Sequence, residues 1–196
     1  LEELNQRISN VRSQMVKANI DGIVITIPEN IYYLTELDHW GFFACHLLVV
    51  PREGEMILVC RAMERITVEN QVKNARFFGH ADNEDPADYI VSALSELGLI
   101  NSRIGMEKSS LFLTAKLAES IKAKTPKVDW QDTSSLVSEL RLVKSPLEME
   151  YVRKAAKAAD AGMLSAINTI REGASDYEVC AECSRSMILA GSEYPG

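Results

Sequence analysis

The sequence predicts an α/β fold in which helices flank a mixed sheet. Short apolar runs rich in β-branched residues alternate with stretches of helical periodicity, a pattern typical of a sheet covered by helices. Two of these runs are joined by a tight turn, which adds an antiparallel hairpin to the sheet. Over 196 residues, 46% hydrophobic and 25% charged composition is that of an ordinary globular protein with a core.

The N-terminal elements are a helix, a buried strand and a turn. Leu1–Asn19 carries apolar residues at helical spacing, and Asp21-Gly22 ends that pattern. Ile23–Ile27 is a continuous β-branched run that suits a strand covered on both faces. Pro28–Asn30 is predicted to be a turn, followed by the aromatic pair Tyr32-Tyr33.

The middle of the chain supplies the hairpin and the remaining alternation. Leu47–Val50 and Glu55–Cys60 are predicted to pair across the turn at Pro51–Gly54. Asp85 is placed to cap a helix that has proline at its first position and Gly98 after its end. The other predicted elements, in order, are a helix over Arg61–Gln71, a strand over Ala75–Phe78, a helix over Asp85–Leu97, a strand over Arg103–Met106, a helix over Leu111–Lys122 and a strand over Val128–Trp130.

The last third of the chain changes character, and we divide the sequence into domains at 1–131 and 132–196. Capping boxes at Ser145–Glu148 and Ser175–Glu178 each begin a helix. Gly173 is expected to end the first helix, and its predicted apolar face consists of Met149, Val152, Ala156, Ala159, Met163 and Ile167. Two such helices cannot close a core alone, so we expect 132–196 to be the truncated opening of a second domain.

Composition excludes several classes of partner. A net charge of -7 and a pI near 5.1 disfavour nucleic acid and anionic membranes, which bind basic surfaces. No apolar run approaches the roughly 18–20 residues that span a bilayer. The four cysteines are few and irregularly spaced, as free thiols of a cytoplasmic protein are. We therefore expect a cytoplasmic protein with no nucleic-acid or membrane partner.

The chain carries no recognisable catalytic or metal motif of its own. Cys180-x-x-Cys183 has metal-like spacing, but no second pair or nearby histidine completes a zinc site, so ordinary thiols are the better interpretation. The acidic run Asp82–Asp85 fits a capped, solvated turn better than a cation site. No nucleophile elbow, GxGxxG sequence or phosphate loop is present. We therefore assign no catalytic residue and no metal ligand to this chain.

One connecting segment, Asp38–His46, is unusually aromatic. It contains five aromatic or imidazole side chains, namely His39, Trp40, Phe42, Phe43 and His46. These side chains provide apolar area, and those of histidine and tryptophan can also form hydrogen bonds. One interpretation is an edge strand or a loop that caps the core. The other is a loop that reaches a ligand pocket or a partner subunit, and aromatic surface also suits a homodimer interface.

The boundary segment resembles a known family. Leu140–Ala156, with its Arg-x-Val-Lys-Ser-Pro-x-Glu motif, closely resembles the segment that opens the catalytic domain in the creatinase/prolidase group of the M24 metallopeptidase family. Gly173–Glu178 and Gly191–Pro195 continue the likeness. Upstream, Asp21–Ile25 and Asn30–Thr35 resemble the N-terminal domain of the same group, so the resemblance covers essentially the whole chain.

The resemblance implies a bilobal homodimer in the cytoplasm. A creatinase N-terminal domain with a ribonuclease-H-like sheet would precede an α+β pita-bread catalytic domain. Peptidase members cleave before proline with two divalent metals (Mn, Co or Zn), whereas creatinase-like members hydrolyse small amides or amidines without metals. The metal ligands and catalytic groups of both types lie beyond this chain, which is thus expected to be inactive alone and to form the dimerising, pocket-sharing part of the parent hydrolase.

The resemblance also gives the aromatic segment a role. It implies that Asp38–His46 reaches the partner subunit's active site, so the candidate substrate-binding residues are His39, Trp40, Phe42, Phe43 and His46. Phe42 matches a substrate-contacting phenylalanine, whereas Ala44 stands where creatinase has an arginine, which argues against creatine. The Asp-x-Trp-x-Phe-Phe arrangement looks nearer to ectoine-hydrolase-like members. Two alternatives stay open: a non-catalytic, peptidase-like protein-binding module, and a free-standing regulatory domain on which 134–196 would pack.

Overall fold

The computed structural model describes residues 2–193. The chain divides into two compact units between Leu142 and Val143. Leu1 of the predicted first helix, and Tyr194 and Pro195 of the C-terminal resemblance, lie outside the described residues.

A six-stranded mixed sheet forms the centre of the first unit, which confirms the predicted fold class. The strands are β1 (Gly22–Ile25), β2 (Leu47–Pro51), β3 (Met56–Arg61), β4 (Ala75–His80), β5 (Arg103–Met106) and β6 (Asp129–Asp132). Their order across the sheet is β4-β3-β2-β1-β5-β6. The pairs β1–β2 and β2–β3 are antiparallel, and β1–β5, β3–β4 and β5–β6 are parallel.

Helices cover both faces of this sheet. On β1, Ile23 and Ile25 face one apolar cluster and Val24 faces the other, so the predicted burial of both faces is confirmed. Within residues 2–193, no helix is long and apolar enough to cross a membrane. The helices of the first unit are α1 (Glu2–Lys17), α2 (Pro28–Thr35), α3 (Arg65–Gln71), α4 (Pro86–Glu96), α5 (Ala115–Lys124) and α6 (Leu136–Leu140). Those of the second unit are α7 (Pro146–Thr169) and α8 (Asp176–Leu189).

Local signals in the sequence place several helix ends. The Asp85 side chain accepts a hydrogen bond from the Ala87 backbone N–H at 2.9 Å and caps α4. Gly98, with φ of +70°, follows the end of that helix. Ser145 and Glu148 form the predicted capping box of α7.

The turn predicted at Pro28–Asn30 is wrong, because these residues form the first turn of α2. Pro28 lacks a backbone N–H, but the first turn of a helix has no internal acceptor for that group. Ile31 and Leu34, three residues apart, then bury one side of the helix.

Helix α6, which the sequence analysis does not predict, extends the first unit to Leu142. Its Leu136, Val137 and Leu140 pack against the same apolar cluster as α1 and α2. Residues 132–142 therefore belong to the first compact unit. The division of the chain into domains at 131 and 132, and the assignment of the second domain, stay predictions.

The second unit is the helix pair α7 and α8, and its contact runs through small residues. A Cβ on Gly162 would lie 2.4 Å from the Met187 Cγ, so a larger residue at this position would force the Met187 side chain to move. The predicted apolar face of α7 is not the buried one. Val152 is 47% and Met163 is 62% exposed, whereas the buried residues of α7 are Ala158 and Gly162.

Candidate functional site

The segment Asp38–His46, called here the aromatic loop, connects α2 to β2. Trp40–Phe43 within it forms a 3-10 turn, and the His39 side chain caps that turn by accepting the Gly41 N–H at 3.0 Å. Trp40 is 70% exposed and Phe43 is 75% exposed. The turn therefore presents two large aromatic side chains at the surface.

Two histidines support the turn from beneath. His39 Nε2 lies 3.0 Å from His46 Nε2, and His46 Nδ1 lies 2.8 Å from the Ala44 carbonyl oxygen. A carbonyl only accepts, so His46 carries its hydrogen on Nδ1 and its Nε2 is an acceptor. His39 Nδ1 accepts from Gly41, so His39 carries its hydrogen on Nε2 and donates it to His46. One pair of neutral tautomers thus satisfies all three contacts.

Phe42 belongs to this support. Its ring centroid lies 4.7 Å from that of His39 and 4.9 Å from that of His46, and the ring packs against the apolar cluster below. The five predicted site residues are therefore together in space but divided in orientation. Trp40 and Phe43 are exposed, whereas His39, Phe42 and His46 point inward; their predicted substrate roles stay predictions.

Burial keeps both histidines neutral. It lowers the pKa of His46 to about 4, against a smaller raising effect of the hydrogen bond to Ala44. Burial also lowers the pKa of His39, although the carboxylate of Glu64 opposes this, with its Oε2 3.3 Å from His39 Nδ1. At neutral pH the support is therefore an uncharged hydrogen-bonded pair.

Gly41 and Glu64 join this site without a signal in the sequence. A Cβ on Gly41 would lie 2.3 Å from His39 Cε1 and 2.8 Å from Glu64 Oε1, so the turn has no room for another residue. Glu64 reaches this point from a second 3-10 turn, Ala62–Glu64, after β3. Local patterns do not mark either residue, because the contact depends on how two distant turns meet.

The start of the aromatic loop is fixed by a side chain of α3. Gln71 accepts the Asp38 N–H at 2.8 Å through its Oε1 and donates to the Asp38 carbonyl at 3.0 Å through its Nε2. Both backbone groups of Asp38 are thereby satisfied by one amide. The loop is held at its first residue and again at its histidines.

A second buried polar group, Glu107, fixes the helix that leads into the loop. Its Oε2 accepts the backbone N–H groups of Thr26 at 2.7 Å and Ile27 at 2.8 Å, and its Oε1 accepts from Asn30 Nδ2 at 2.6 Å. Arg141 Nη1 in turn donates to Asn30 Oδ1 at 2.8 Å. Burial raises the pKa of Glu107 overall, against the smaller lowering effects of these donors and of the arginine charge. Because both oxygens accept hydrogen bonds, the geometry fits the ionised carboxylate.

The residues from 2 to 193 contain no group of three or more His, Cys, Asp or Glu side chains placed to hold a metal ion. Cys180 is exposed on α8, while Cys183 lies against the α7 contact near Gly162. The Cys-x-x-Cys pair is therefore spaced along one helix without further ligands nearby in the described residues.

Comparison with known proteins identifies the family. The family described as the creatinase/prolidase N-terminal domain matches residues 7–143. The chain belongs to the creatinase/prolidase N-terminal domain family. The match ends one residue after the first compact unit of the structure, so the family domain and that unit coincide closely.

Relatives of this family match nearly the whole chain. An ectoine hydrolase of Halomonas elongata is 32% identical over 99% of this chain and 53% of its own length. A candidate dipeptidase of Bacillus subtilis is 30% identical over 94% of the chain and 50% of its own length. The structure of a Bacillus anthracis Xaa-Pro dipeptidase superposes with a TM-score of 0.78 at 23% identity, over 97% of this chain and 50% of that one, which supports the fold. The chain thus spans about half the length of these relatives, their N-terminal half.

Within the creatinase/prolidase N-terminal domain, the structure gives the first residue of the Arg-x-Val-Lys-Ser-Pro-x-Glu motif a definite partner. Arg141 binds Asn30, at the start of α2, and through it the buried Glu107. In the sequence, the motif indicates only a boundary between domains. Its arginine is part of the packing of the N-terminal domain itself.

Proposed function

We propose that this chain is the dimerising and substrate-pocket-sharing half of an M24-family hydrolase that cleaves C–N bonds. The catalytic groups belong to the other half of the parent protein, so the chain alone is inactive. The family match and the span of about half of each relative support this division of labour.

The observation that carries the proposal is the exposure of Trp40 and Phe43 on a firmly held turn. Large aromatic side chains at a surface lose apolar hydration when they contact a ligand or a partner. Gln71 and the two histidines fix the backbone beneath them, which lowers the entropy lost on contact. Such a pair is suited to close one wall of a pocket whose other walls come from the partner protomer.

The substrate is a small cyclic or linear amide or amidine of the ectoine type. The similarity to ectoine hydrolase supports this choice. Ala44, which by the family resemblance stands where creatinase has an arginine, argues against creatine. Dipeptides are the second candidate, supported by the similarity to the candidate dipeptidase, and the family resemblance favours those of the Xaa-Pro type. The described residues of this chain offer no cluster that fits divalent metals, so any metals of a peptidase-type parent are held by its other half.

The parent protein acts as a homodimer in the cytoplasm. The net charge of -7 supports a protein that binds neither nucleic acid nor anionic lipid. In the dimer, the aromatic loop of one protomer meets the active site of its partner. Activity per protomer should then fall on dilution in step with the dimer fraction measured by sedimentation.

The test uses the parent protein with the substitutions Trp40→Ala and Phe43→Ala. Ectoine, creatine and Xaa-Pro dipeptides are assayed with and without Mn²⁺. We expect ectoine to be hydrolysed, and each substitution to lower kcat/KM about 10- to 100-fold, the loss of roughly 1.4–2.8 kcal/mol of contact in the transition state. Because both side chains are largely exposed, stability should change by no more than about 0.5 kcal/mol.

Leu111→Ala is the matched control, since Leu111 is apolar and 95% exposed but lies outside the aromatic loop. It should leave both kcat/KM and stability unchanged. Hydrolysis that Trp40→Ala and Phe43→Ala leave untouched would refute the pocket-sharing role. Absence of hydrolysis of every compound would favour the alternative, a peptidase-like module that binds protein partners through the same aromatic pair.

A further inference from the structure

We propose that Glu64 and His46 are positioning residues with different roles: His46 and His39 latch the 3-10 turn of the aromatic loop at neutral pH, and Glu64 directs to His39 the proton that releases it in mild acid. The latch is defined by His39, Gly41 and His46, and the Glu64 carboxylate lies beside it. Its existence does not depend on the proposed function, but its consequence for substrate capture rests on it.

The latch tolerates only one protonation state. A single hydrogen lies between His39 Nε2 and His46 Nε2, which are 3.0 Å apart. A second proton on His46 Nε2 would set two N–H groups against each other at that distance. A proton on His39 Nδ1 would displace the Gly41 N–H, which now donates to that atom at 3.0 Å. Protonation at either site therefore breaks a contact of the turn.

The surrounding charges decide which histidine is protonated first. Glu64 and Asp38 both favour the charged form of His39, and the Glu64 carboxylate already stands 3.3 Å from its Nδ1. The first proton therefore goes to His39. It forms an ion pair with Glu64 and removes the acceptor of the Gly41 N–H.

His46 faces the opposite electrostatic environment. Arg61 of β3 and His80 of β4 both disfavour its charged form, as does a charged His39, and its side chain is 1% exposed. Its ring can accept a proton only after the latch has opened to water. The two steps thus act in order, the first loosening the cap and the second preventing its closure.

Release of the latch frees the residues that the turn presents. Phe42 packs against both imidazoles with its ring tilted, at 4.7 and 4.9 Å between ring centroids, so two imidazoles that repel one another as charged groups would separate beside it. Trp40 and Phe43 lie in the same four-residue turn and lose their fixed backbone. In the parent protein, acid would then raise KM through the loop.

The first experiment is NMR of the ¹⁵N-labelled chain, which has only three histidines. At pH 7.5 we expect His39 as the Nε2–H tautomer, His46 as the Nδ1–H tautomer, and a through-hydrogen-bond ¹⁵N–¹⁵N coupling between their Nε2 atoms. This coupling should vanish as the pH falls below the first histidine titration. Two identical tautomers, or no coupling at pH 7.5, would overturn the latch.

The second experiment follows Trp40 itself. The chain has two tryptophans, so Trp130→Phe leaves Trp40 as the reporter of the turn. Its fluorescence anisotropy should fall on acidification while far-ultraviolet circular dichroism is unchanged. Glu64→Gln should move the midpoint to lower pH by at least half a unit, because His39 loses its anionic partner, and His80→Gln should keep the fall. An unshifted midpoint in Glu64→Gln would refute its positioning role.

These measurements need no substrate, so they separate the latch from the proposed function. A latch that opens in a protein without hydrolase activity would support the latch and refute the proposed function. Activity that depends on Trp40 in a protein without the histidine coupling would support the proposed function and refute the latch.

Discussion

The substitution Glu107→Gln should destabilise the first unit although it changes only one atom of the side chain. The carboxylate faces three donors, the Thr26 and Ile27 N–H groups on Oε2 and the Asn30 Nδ2 on Oε1. A glutamine has one acceptor oxygen and one NH₂ group. If its oxygen takes the two backbone donors, its NH₂ meets the Asn30 NH₂; if Asn30 flips, its NH₂ then meets the Arg141 guanidinium. Each arrangement sets a donor against a donor.

The expected cost is about 2–4 kcal/mol. A buried unpaired donor costs about 1–3 kcal/mol, and the hydrogen bonds lost to a charged acceptor add to it. Glu107 is 0% exposed, so water does not replace the lost acceptor. At about 2–4 °C of Tm per kcal/mol, a loss of about 3 kcal/mol lowers the Tm by about 6–12 °C. Urea unfolding and thermal unfolding, both followed by circular dichroism, measure the two quantities.

The double substitution Glu107→Gln with Asn30→Asp should restore stability. The amide introduced at position 107 is then free to donate to the new carboxylate, which still accepts from Arg141, while the amide oxygen takes the two backbone donors. The coupling between the two sites should be favourable by about 1–3 kcal/mol. Glu119→Gln, at an exposed position of α5, is the control and should have no effect. A cost of Glu107→Gln below about 0.5 kcal/mol, the range of ordinary surface changes, or no rescue by the second change, would refute this account.

Three further predictions concern pH, helix packing and thiol reactivity. The pKa of His46 is lower in the folded state, so the unfolded state binds more protons between pH 6.5 and about 4, and His46 should lower the free energy of unfolding by roughly 3 kcal/mol over that range. His46→Gln should reduce this slope and leave the part that the lowered pKa of His39 contributes. Gly162→Leu should separate α7 from α8 and expose that pair to limited proteolysis, whereas Met163→Leu, at an exposed neighbour, should not. A thiol reagent at pH 8 should modify Cys180 rapidly and Cys45 and Cys60 slowly, because burial raises the pKa of these two thiols to about 12. Fast modification of the partly buried Cys45 or of the buried Cys60 would contradict this expectation.

The sequence predicts structure correctly where the structure depends on residues that are close neighbours along the chain. Asp85 and Ser145 each cap a helix through residues two or three positions away, and the hairpin of β2 and β3 turns within a few residues. The same local logic fails at Pro28, because a proline that indicates a turn equally suits the first position of a helix.

The hydrogen bonds of the buried polar residues cannot be predicted from neighbouring residues in this way. Glu107 binds partners 77 to 81 positions away, and Asn30 joins Arg141 across 111 positions. Nothing near Glu107 in the sequence marks it as buried, since its carboxylate oxygens meet their donors only when the end of β5 reaches the junction between β1 and α2. The aromatic loop stands out in the sequence because its composition is unusual for a loop. Which of its rings are exposed and which pack inward can be seen only in the folded structure.

In the aromatic loop, the positions that can accept other residues are different from the positions that hold the turn in place. Positions 40 and 43 contribute little buried area, whereas positions 39, 41 and 46 are in close contact with one another or with Glu64. A library randomised at 40 and 43 should therefore yield folded proteins at nearly every member, and one randomised at 39, 41 and 46 should yield few. A scaffold built in this way can acquire a new specificity by surface substitutions alone, without passing through unstable intermediates.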